Sequence, residues 1–300
     1  MKLIQWTFFI DMLGYRALNG EIDSEEKAKE FIAFMEQNKA IFDLSNSSEV
    51  KSNYSKDKVF NLYEYYDVKY SFISDSLVIN IYPKEVPSLK NEKLKYMHSA
   101  NALIIILMRL QTFIFSCFQE KGLFLRGGIS TKYCFLEGNF AVGEGLIDAY
   151  LTESKIAKHP RIAFSESVFK DEKLLEQVES LSHKMYGNSI LNKDTKGVYY
   201  LDHLGYSMSS VDRDNKMVYQ FMTLNLQAYL AHLEMAKNYV NKHAIAIQKK
   251  LTNLEVELSG LHTEKDREKQ QYVINKFEWL KGYHNASVSQ YKDFVEFTID

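Results

Sequence analysis

The sequence predicts an α+β protein, with a sheet-containing core followed by a pair of long helices. Over residues 3–201, short apolar runs of strand character alternate with longer segments of helical periodicity. From about residue 216 only the helical pattern remains. The chain has 300 residues, of which 46% are hydrophobic and three are proline, which suits one large domain or two modest ones without long disordered linkers. We predict a core domain over residues 1–210 and a helical extension over residues 211–300.

The first part of the core pattern contains a strand, a helix and a hairpin. Residues 3–11 form an apolar run that predicts a strand, and Ser24 with the acidic residues after it predicts a capped helix that ends near residue 43. The polar residues 45–53 predict a surface loop or insertion. Two strands of a hairpin follow, over residues 68–73 and 77–82.

The second part of the pattern adds a helix and a strand. Residues 94–121 predict a long buried helix that Gly122 ends, and residues 123–130 predict the next core strand. The order strand, helix, strand, strand, helix, strand is the ferredoxin-like split βαβ arrangement. Three further elements extend it, a helix over residues 144–158 and strands over residues 161–165 and 198–201.

The last third of the chain predicts a helical hairpin. A broad apolar face runs along the helix from residue 216, Gly260 interrupts it, and a second helix extends from about residue 264 toward residue 294. Two antiparallel helices of this length usually brace a domain or pair with a partner chain. We therefore predict burial, against the core or a second chain, of three leucines on this face: Leu224, Leu230 and Leu233.

Composition and charge narrow the function classes. A net charge of −2 gives no basic field, so neither nucleic-acid binding nor attachment to a membrane surface is predicted. Residues 102–118 are apolar, but Arg109 and Gln111 interrupt them, and we interpret this stretch as a helix buried against a sheet rather than a membrane span. Cys117 and Cys134 are too few for a disulfide framework, and the N-terminus lacks the features of a signal peptide. A cytoplasmic protein with reduced thiols is predicted.

Two aspartates stand at the ends of predicted strands. Asp11 closes the apolar first strand, and Asp75 lies in the turn of the hairpin. A buried strand seldom ends in a carboxylate that nothing binds, because an unpaired buried charge is costly. Two carboxylates that meet at the ends of neighbouring strands would form a site for Mg²⁺ or Mn²⁺, which prefer hard oxygen ligands. The simpler alternative is that each aspartate caps its own turn.

Five short motifs follow one another within residues 3–201. Residues 9–15 (FIDMLGY) resemble the first-strand motif of class III nucleotidyl cyclases, which supplies the first metal-binding aspartate of that family. Residues 73–76 (ISDS) stand where the family has Ile-Gly-Asp, whose aspartate is its second metal-binding aspartate. Residues 125–130 (LRGGIS), 142–154 (VGEGLIDAYLTES) and 160–165 (PRIAFS) resemble the strand, helix and strand that complete its catalytic domain. By this resemblance the chain is a divergent, stand-alone bacterial member.

The resemblance implies a two-metal reaction on a nucleoside triphosphate. Asp11 and Asp75, helped by the Met12 carbonyl, would hold two Mg²⁺ or Mn²⁺ ions, one to activate the 3′-hydroxyl and one to stabilise the pyrophosphate leaving group. Lys193 stands about where the family has a lysine on the triphosphate, although an ordinary charged loop is an equal alternative for it. Family enzymes build their sites between two catalytic domains and this chain has one, so the resemblance also implies a homodimer.

The chain departs from the family at four positions of the nucleotide site. The asparagine and arginine that orient the ribose and stabilise the transition state align with Ile147 and Leu151, whose side chains cannot donate hydrogen bonds. The two base-reading positions align with Ser71 and Phe140, so the sequence does not predict which base is bound.

Another cation is needed in place of the missing arginine. Arg126, Lys158 and Arg161 are the nearest candidates. Arg126 is our first choice as a catalytic residue, because the Gly127-Gly128 pair beside it would let a ligand approach closely. The alternative for Arg126 is a salt-bridged arginine at a strand end.

The function predicted from these motifs is metal-dependent conversion of a nucleoside triphosphate into a cyclic nucleotide and pyrophosphate, in a signalling role such as antiviral defence. One alternative is a degenerate cyclase fold that binds a nucleotide or a protein partner without turnover, which the residues at positions 147 and 151 favour. Another is a helical interaction module built on residues 216–297.

Overall fold

A computed structural model of the chain contains a seven-stranded mixed sheet at its centre, and the structure describes residues 2–42, 52, 60–85 and 91–300. The predicted loop over residues 45–53 lies outside these described residues except at position 52. The strands in chain order are β1 (Trp6–Leu13), β2 (Tyr66–Ile73), β3 (Ser76–Pro83), β4 (Phe124–Ser130), β5 (Phe135–Glu137), β6 (Phe140–Val142), β7 (Ile162–Phe164), β8 (Leu191–Lys193) and β9 (Tyr199–Leu201).

The order of strands across the sheet is β2-β3-β1-β4-β7-β9-β8, and β5 and β6 form a separate hairpin. β1 lies between β3 and β4 and is antiparallel to both, and β2 is antiparallel to β3. β7 runs parallel to β4, and β9 is antiparallel to both of its neighbours. The mixed α/β character of the fold is therefore as the sequence predicts, and each predicted strand is present with its ends within three residues of the prediction.

Ten α-helices within the described residues surround the sheet. They are α1 (Tyr15–Gly20), α2 (Glu25–Phe42), α3 (Leu62–Tyr65), α4 (Glu92–Lys121), α5 (Glu144–Leu151), α6 (Glu172–Tyr186), α7 (His203–Ser209), α8 (Lys216–Leu224), α9 (Leu226–Ser259) and α10 (Glu264–Val288). α5 continues into a π-helical segment over Thr152–Ala157, which completes the helix predicted over residues 144–158. The sequence patterns did not predict the β5–β6 hairpin, β8 or α6.

Helices cover both faces of the sheet around β1. Because side chains alternate along a strand, Trp6, Phe8 and Ile10 share one face, and all three are fully buried. On that face the Trp6 indole N–H donates to the Ser99 carbonyl of α4 at 3.0 Å, which ties β1 to the long helix. On the other face, Phe9 makes an edge contact with Tyr150 of α5, with 5.4 Å between ring centroids. Asp11 belongs to this second face.

α4 is the one helix in the described ranges that is long and apolar enough to cross a membrane. It packs between the sheet and other helices, and 61% of its most apolar window is buried inside the protein. Arg109 and Gln111, which interrupt its apolar stretch, are themselves buried. This burial favours a soluble protein over a membrane span.

The C-terminal helices α9 and α10 form a hairpin that packs against α4 and the start of β4. Tyr239 of α9 stacks on Phe115 of α4 at 5.1 Å, and Phe277 of α10 makes an edge contact with Phe124 of β4 at 5.2 Å. The buried side of α9 follows a spacing of three and four residues: Tyr229, Ala236, Tyr239, Val240, His243, Ile247, Leu251 and Leu254.

Of the three leucines predicted to be buried, only Leu233 packs, in part, against the core of its own chain. Leu224 is 87% exposed and Leu230 is 45% exposed. For Leu230 the reason is helical phase, because the inward stripe of α9 passes through Tyr229 and Ala236 and Leu230 projects about 100° away from it. Leu224 is the last residue of the preceding helix, α8. Burial of these two leucines against a second chain stays a prediction.

Candidate functional site

The candidate site lies where β1 ends beside the β2–β3 hairpin. Asp11 pairs across the sheet with Ser76 of β3, the residue that follows Asp75. The Met12 backbone N–H donates to the Asp75 carbonyl at 2.9 Å, so the hairpin turn is held directly against the end of β1. The pKa of the Asp11 carboxyl is raised, first by burial and also by the charge of Asp75, while Arg126 acts against that rise. The two aspartates are thus close enough to interact electrostatically.

Arg126 faces Asp11 from the neighbouring strand. The two residues are directly opposite in the β1–β4 pairing, so their side chains project from the same face of the sheet. The Arg126 Nη2 lies 3.2 Å from Asp11 Oδ2, and the same guanidinium donates a short hydrogen bond through Nε to Glu153. Arg126 was the first choice to replace the family's transition-state arginine, and within one chain it forms the ion-pair network that the sequence analysis gave as the alternative.

Glu153 is a site residue that the sequence reasoning quoted in a motif without assigning it a role. It lies in the π-helical segment after α5, a type of helix that occurs often at functional sites. Its side chain is only 4% exposed. Burial and the charge of Asp11 raise the pKa of this carboxyl, and Arg126 opposes them. No local signal in the sequence indicated this role, because the neighbours Thr152, Ser154 and Lys155 are polar as well.

Lys276 extends the cluster from the C-terminal hairpin. This lysine of α10 is half-buried, and burial and the Arg126 charge lower the pKa of its ammonium, whereas Asp11 and Glu153 raise it. The interaction shows that α10 approaches the same end of the sheet as the two strand-end carboxylates. Sequence reasoning treated the helical extension as separate from the site, so this cation was missed.

The glycines beside Arg126 accommodate protein rather than a ligand. A Cβ atom added to Gly128 would come within 2.0 Å of the Ala149 carbonyl oxygen and 2.7 Å of Thr152 Cβ. One added to Gly127 would lie 2.9 Å from the Phe9 carbonyl oxygen. The pair therefore lets α5 and β1 approach β4 closely, and the original reason for choosing Arg126 does not hold.

We expect Gly128→Ala to destabilise the fold by about 1–3 kcal/mol or more, because the added methyl group meets backbone atoms that cannot move alone. Gly282→Ala is the matched control, since Gly282 lies within α10 and nothing lies within 4 Å of its added Cβ. That control should be neutral or stabilising, as alanine is the better helix former. Urea denaturation of both variants would measure the difference, and equal stabilities would contradict the packing described for Gly128.

The three residues predicted to contact the nucleotide lie apart from Asp11 in a single chain. Ser71 is on β2, two strands away, and its buried hydroxyl has no hydrogen-bond partner in the part of the chain that the structure describes. Phe140 lies on the β5–β6 hairpin and is 80% exposed. Lys193 lies on β8, four strands or about 19 Å from β1, with its ammonium over the Tyr199 ring.

An apolar surface occupies the place of the family's asparagine and arginine. Ile147 is 57% exposed and Leu151 is 38% exposed, and Phe140, Val142 and Tyr150 are exposed beside them in the sequence. None of these side chains except the tyrosine can donate a hydrogen bond. In one chain, therefore, this surface provides no replacement for the lost transition-state groups.

The oxygen donors at the strand ends fit a magnesium or manganese ion. The Asp75 carboxylate forms no ion pair or side-chain hydrogen bond with any other described residue, and Asp11 uses one oxygen for Arg126. Within the described ranges no group of three or more His, Cys, Asp or Glu residues is arranged as a complete metal cage. Mg²⁺ does not require one, because it is commonly bound by one or two carboxylates together with water and substrate phosphates.

Comparison with protein-family models finds no model that matches this chain, and comparison with curated proteins finds no match. The case for a function therefore rests on the geometry of the site.

Proposed function

We propose that the protein is a metal-dependent nucleotidyl cyclase, which converts a nucleoside triphosphate into a cyclic nucleotide and pyrophosphate. The observation that carries this proposal is the meeting of Asp11 and Asp75 at adjacent ends of β1 and the β2–β3 hairpin, joined by the Met12–Asp75 backbone hydrogen bond. Carboxylates at neighbouring strand ends, with one of them unpaired, are suited to holding a divalent ion and the phosphates attached to it.

The strand order supports the same proposal. The four strands β2-β3-β1-β4 are antiparallel to their neighbours, and in chain order they follow the pattern strand, helix, strand, strand, helix, strand. That combination is the split βαβ arrangement expected of a ferredoxin-like core. A cyclase catalytic domain of the class III type would use this core to place both aspartates at one edge.

The backbone of the hairpin turn also agrees with the resemblance. Ser74 has a φ of 59°, a left-handed conformation that glycine adopts more readily than serine. The resembling family has glycine at this position, immediately before its second metal-binding aspartate. A turn conformation that favours glycine immediately before Asp75 therefore supports the resemblance.

The roles of the residues follow from their placement. Asp11 and Asp75 would hold two Mg²⁺ or Mn²⁺ ions, which when bound polarise the attacking 3′-hydroxyl and neutralise the leaving pyrophosphate. Arg126 and Lys276 balance the charge of Asp11 and Glu153. Only one oxygen of Asp11 is paired with Arg126, so a metal on the other oxygen would compete electrostatically with that ion pair. Phe140 and Lys193 would reach a nucleotide at Asp11 only from a second chain, whereas the Ser71 hydroxyl is buried within its own chain. We propose a cytoplasmic homodimer that acts in defence signalling.

A second candidate function is nucleotide or partner binding without turnover. Two observations favour it: Arg126 neutralises Asp11, and exposed Ile147 and Leu151 stand where transition-state groups are required. A cyclase-like fold that had lost its activity would show both features.

The proposed activity can be tested directly with the purified chain. We expect incubation with the four ribonucleoside triphosphates, each alone and with Mn²⁺, to give a cyclic nucleotide from at least one of them, detected by mass spectrometry. Omission of the divalent ion should remove the product. If no triphosphate is converted but one binds in a saturable way, the binding function is supported; if none is converted or bound, both proposals fail.

A further inference from the structure

A cavity lined by neither Asp11 nor Asp75 lies between the core helix α4 and the C-terminal hairpin. Its volume is about 480 Å³, within the range of small-molecule sites in proteins. α4, α7 and α9 each contribute to its wall. Met108 and Phe115 line it from α4, and Met235 and Tyr239 line it from α9. These side chains give the cavity a largely apolar interior.

One buried cation lies in the wall of this cavity. Arg109 of α4 is 9% exposed, and its Nη1 donates to the Tyr63 hydroxyl at 2.7 Å. Its guanidinium also lies over the Tyr63 ring, 5.5 Å from the centroid. Across the ranges that the structure describes, no carboxylate forms an ion pair with Arg109, in contrast to Arg126 and Arg161, which are both paired.

An unpaired guanidinium in an apolar wall is an unusual arrangement. Burying a charge is costly unless it is paired, and a guanidinium has five N–H donors of which few are used here. A planar carboxylate can accept two parallel hydrogen bonds from such a group. An anion held in the cavity would therefore satisfy the cation, while the apolar walls would contact the rest of the same molecule.

We propose that this cavity binds a small amphipathic carboxylate, with its carboxylate on Arg109 and its apolar body between α4 and α9. The site does not depend on the cyclase activity and is separate from Asp11 and Asp75. A nucleoside triphosphate is a poor occupant because its several negative charges would face a single arginine. A divalent cation is also unsuited, since no Asp or Glu among the described residues lines the cavity.

The ligand would connect two parts of the molecule. Arg109 and Phe115 belong to the helix that packs on the sheet, whereas Met235 and Tyr239 belong to the hairpin that carries Lys276 on its second helix. An occupant would contact both, so its binding should stabilise the packing of the hairpin on the core.

Decanoate and decanol provide a matched pair of probes, because they share an apolar chain and differ in the charged group. Isothermal titration calorimetry of the full chain, below the concentration at which decanoate forms micelles, should show saturable binding of one decanoate per chain. We expect decanoate to bind about 10- to 100-fold more tightly than decanol, the contribution of a charge-assisted hydrogen-bonded pair. No saturable binding of decanoate, or equal binding of the two probes, would overturn the proposal.

Arg109→Met removes the charge and largely keeps the shape of the cavity, because methionine has much of the length and the apolar stem of arginine. This variant should lose the preference for decanoate and bind decanol as the wild-type protein does. Arg267→Met, which changes an exposed arginine near the distal end of the hairpin, should behave as wild type. An Arg109→Met variant that still preferred decanoate would contradict the assigned role.

Arg109→Lys covers the case in which the methionine variant fails to fold. Lysine keeps the positive charge, so a folded Arg109→Lys protein should retain a preference for decanoate over decanol. Loss of that preference in a folded lysine variant would overturn the proposal. If the groove instead takes a segment of another protein, decanoate will not saturate it, and the proposal fails by the first experiment.

Discussion

Asp75→Ala is expected to reduce pyrophosphate release from the active triphosphate by roughly 10³-fold or below detection. Metal ions contribute several kcal/mol of charge stabilisation to such transition states, and each 1.36 kcal/mol corresponds to about tenfold in rate. Asp75 lies at a hairpin tip, and its side chain forms no hydrogen bond or ion pair with another described residue. The variant should therefore keep the stability of the wild-type protein to within about 0.5 kcal/mol.

Asp67→Ala is the matched control for this experiment. Asp67 lies at the opposite end of the same hairpin, where it pairs with Lys84 on the surface at 3.1 Å. An exposed ion pair of this kind contributes little to stability, so both fold and activity should be retained. Equal activity of Asp75→Ala and wild-type protein would end the two-metal proposal, whereas equal loss in both variants would indicate damage to the hairpin rather than removal of a ligand.

The Arg126 ion pair makes a more demanding version of this test possible. Because Arg126 partly neutralises Asp11, a metal that binds this carboxylate competes with a counter-ion that is already in place. An enzyme that works in this way should need a higher concentration of Mn²⁺ than one whose aspartates are both unpaired. Titration of wild-type activity with Mn²⁺ would also distinguish two kinds of site. A site that binds the metal weakly should gain activity as the Mn²⁺ concentration rises, whereas an inactive site should not.

The strands around β1 could be predicted from the sequence because their signals are local. Residues 73–76 combine the end of one apolar run, a turn and the start of the next run, and the structure has a tight hairpin there. β8 was missed because three residues, Leu191–Lys193, are too short to show alternation. α6 could have been predicted from the sequence, because it is an amphipathic helix in which Leu174 and Val178, four residues apart, are buried.

The site could be predicted only in part, because its contacts depend on register and on distant segments. The positions of Asp11 and Asp75 at strand ends followed from local pattern. The direct opposition of Asp11 and Arg126 depends on which residues of β1 and β4 pair, and a shift of one residue would have placed them on opposite faces. Lys276 lies in a helix whose packing on the sheet no local signal specifies.

Three buried histidines join the C-terminal hairpin to the core and make the fold sensitive to acid. His203 belongs to α7, His243 to α9 and His284 to α10, and all three are less than 10% exposed. The Nδ1 atoms of His243 and His284 are 3.0 Å apart, and His284 Nε2 lies 2.8 Å from the Phe297 carbonyl. Since a carbonyl only accepts, His284 must donate through Nε2 and, when neutral, accept the His243 proton at Nδ1.

This hydrogen-bond chain requires neutral imidazoles. A proton added to His284 would place two N–H groups against each other, and burial lowers the pKa of all three side chains, that of His203 to about 3. Each histidine takes up a proton near pH 6.5 when the chain is unfolded, but not while it is folded. The unfolded state therefore binds more protons below pH 6.5, and stability should fall as the pH is lowered, by up to roughly 2 kcal/mol at pH 5 for a histidine that is still neutral there in the folded state.

His243→Asn isolates one of these contributions, because the asparagine amide can replace the imidazole N–H as a donor to His284 and cannot be protonated. The free energy of unfolding of both proteins would be measured with urea between pH 7.5 and pH 5. Below pH 6 it should fall less steeply in the variant, and the difference between the two slopes should be about 1.4 kcal/mol per pH unit. Buried Asp202, whose pKa is raised by burial, contributes with the opposite sign in both proteins and cancels in the comparison. His232→Asn, on the exposed side of the same helix, is the control and should keep the wild-type slope. If His243→Asn also keeps the wild-type slope, protonation of His243 does not weaken the packing of the hairpin on the core.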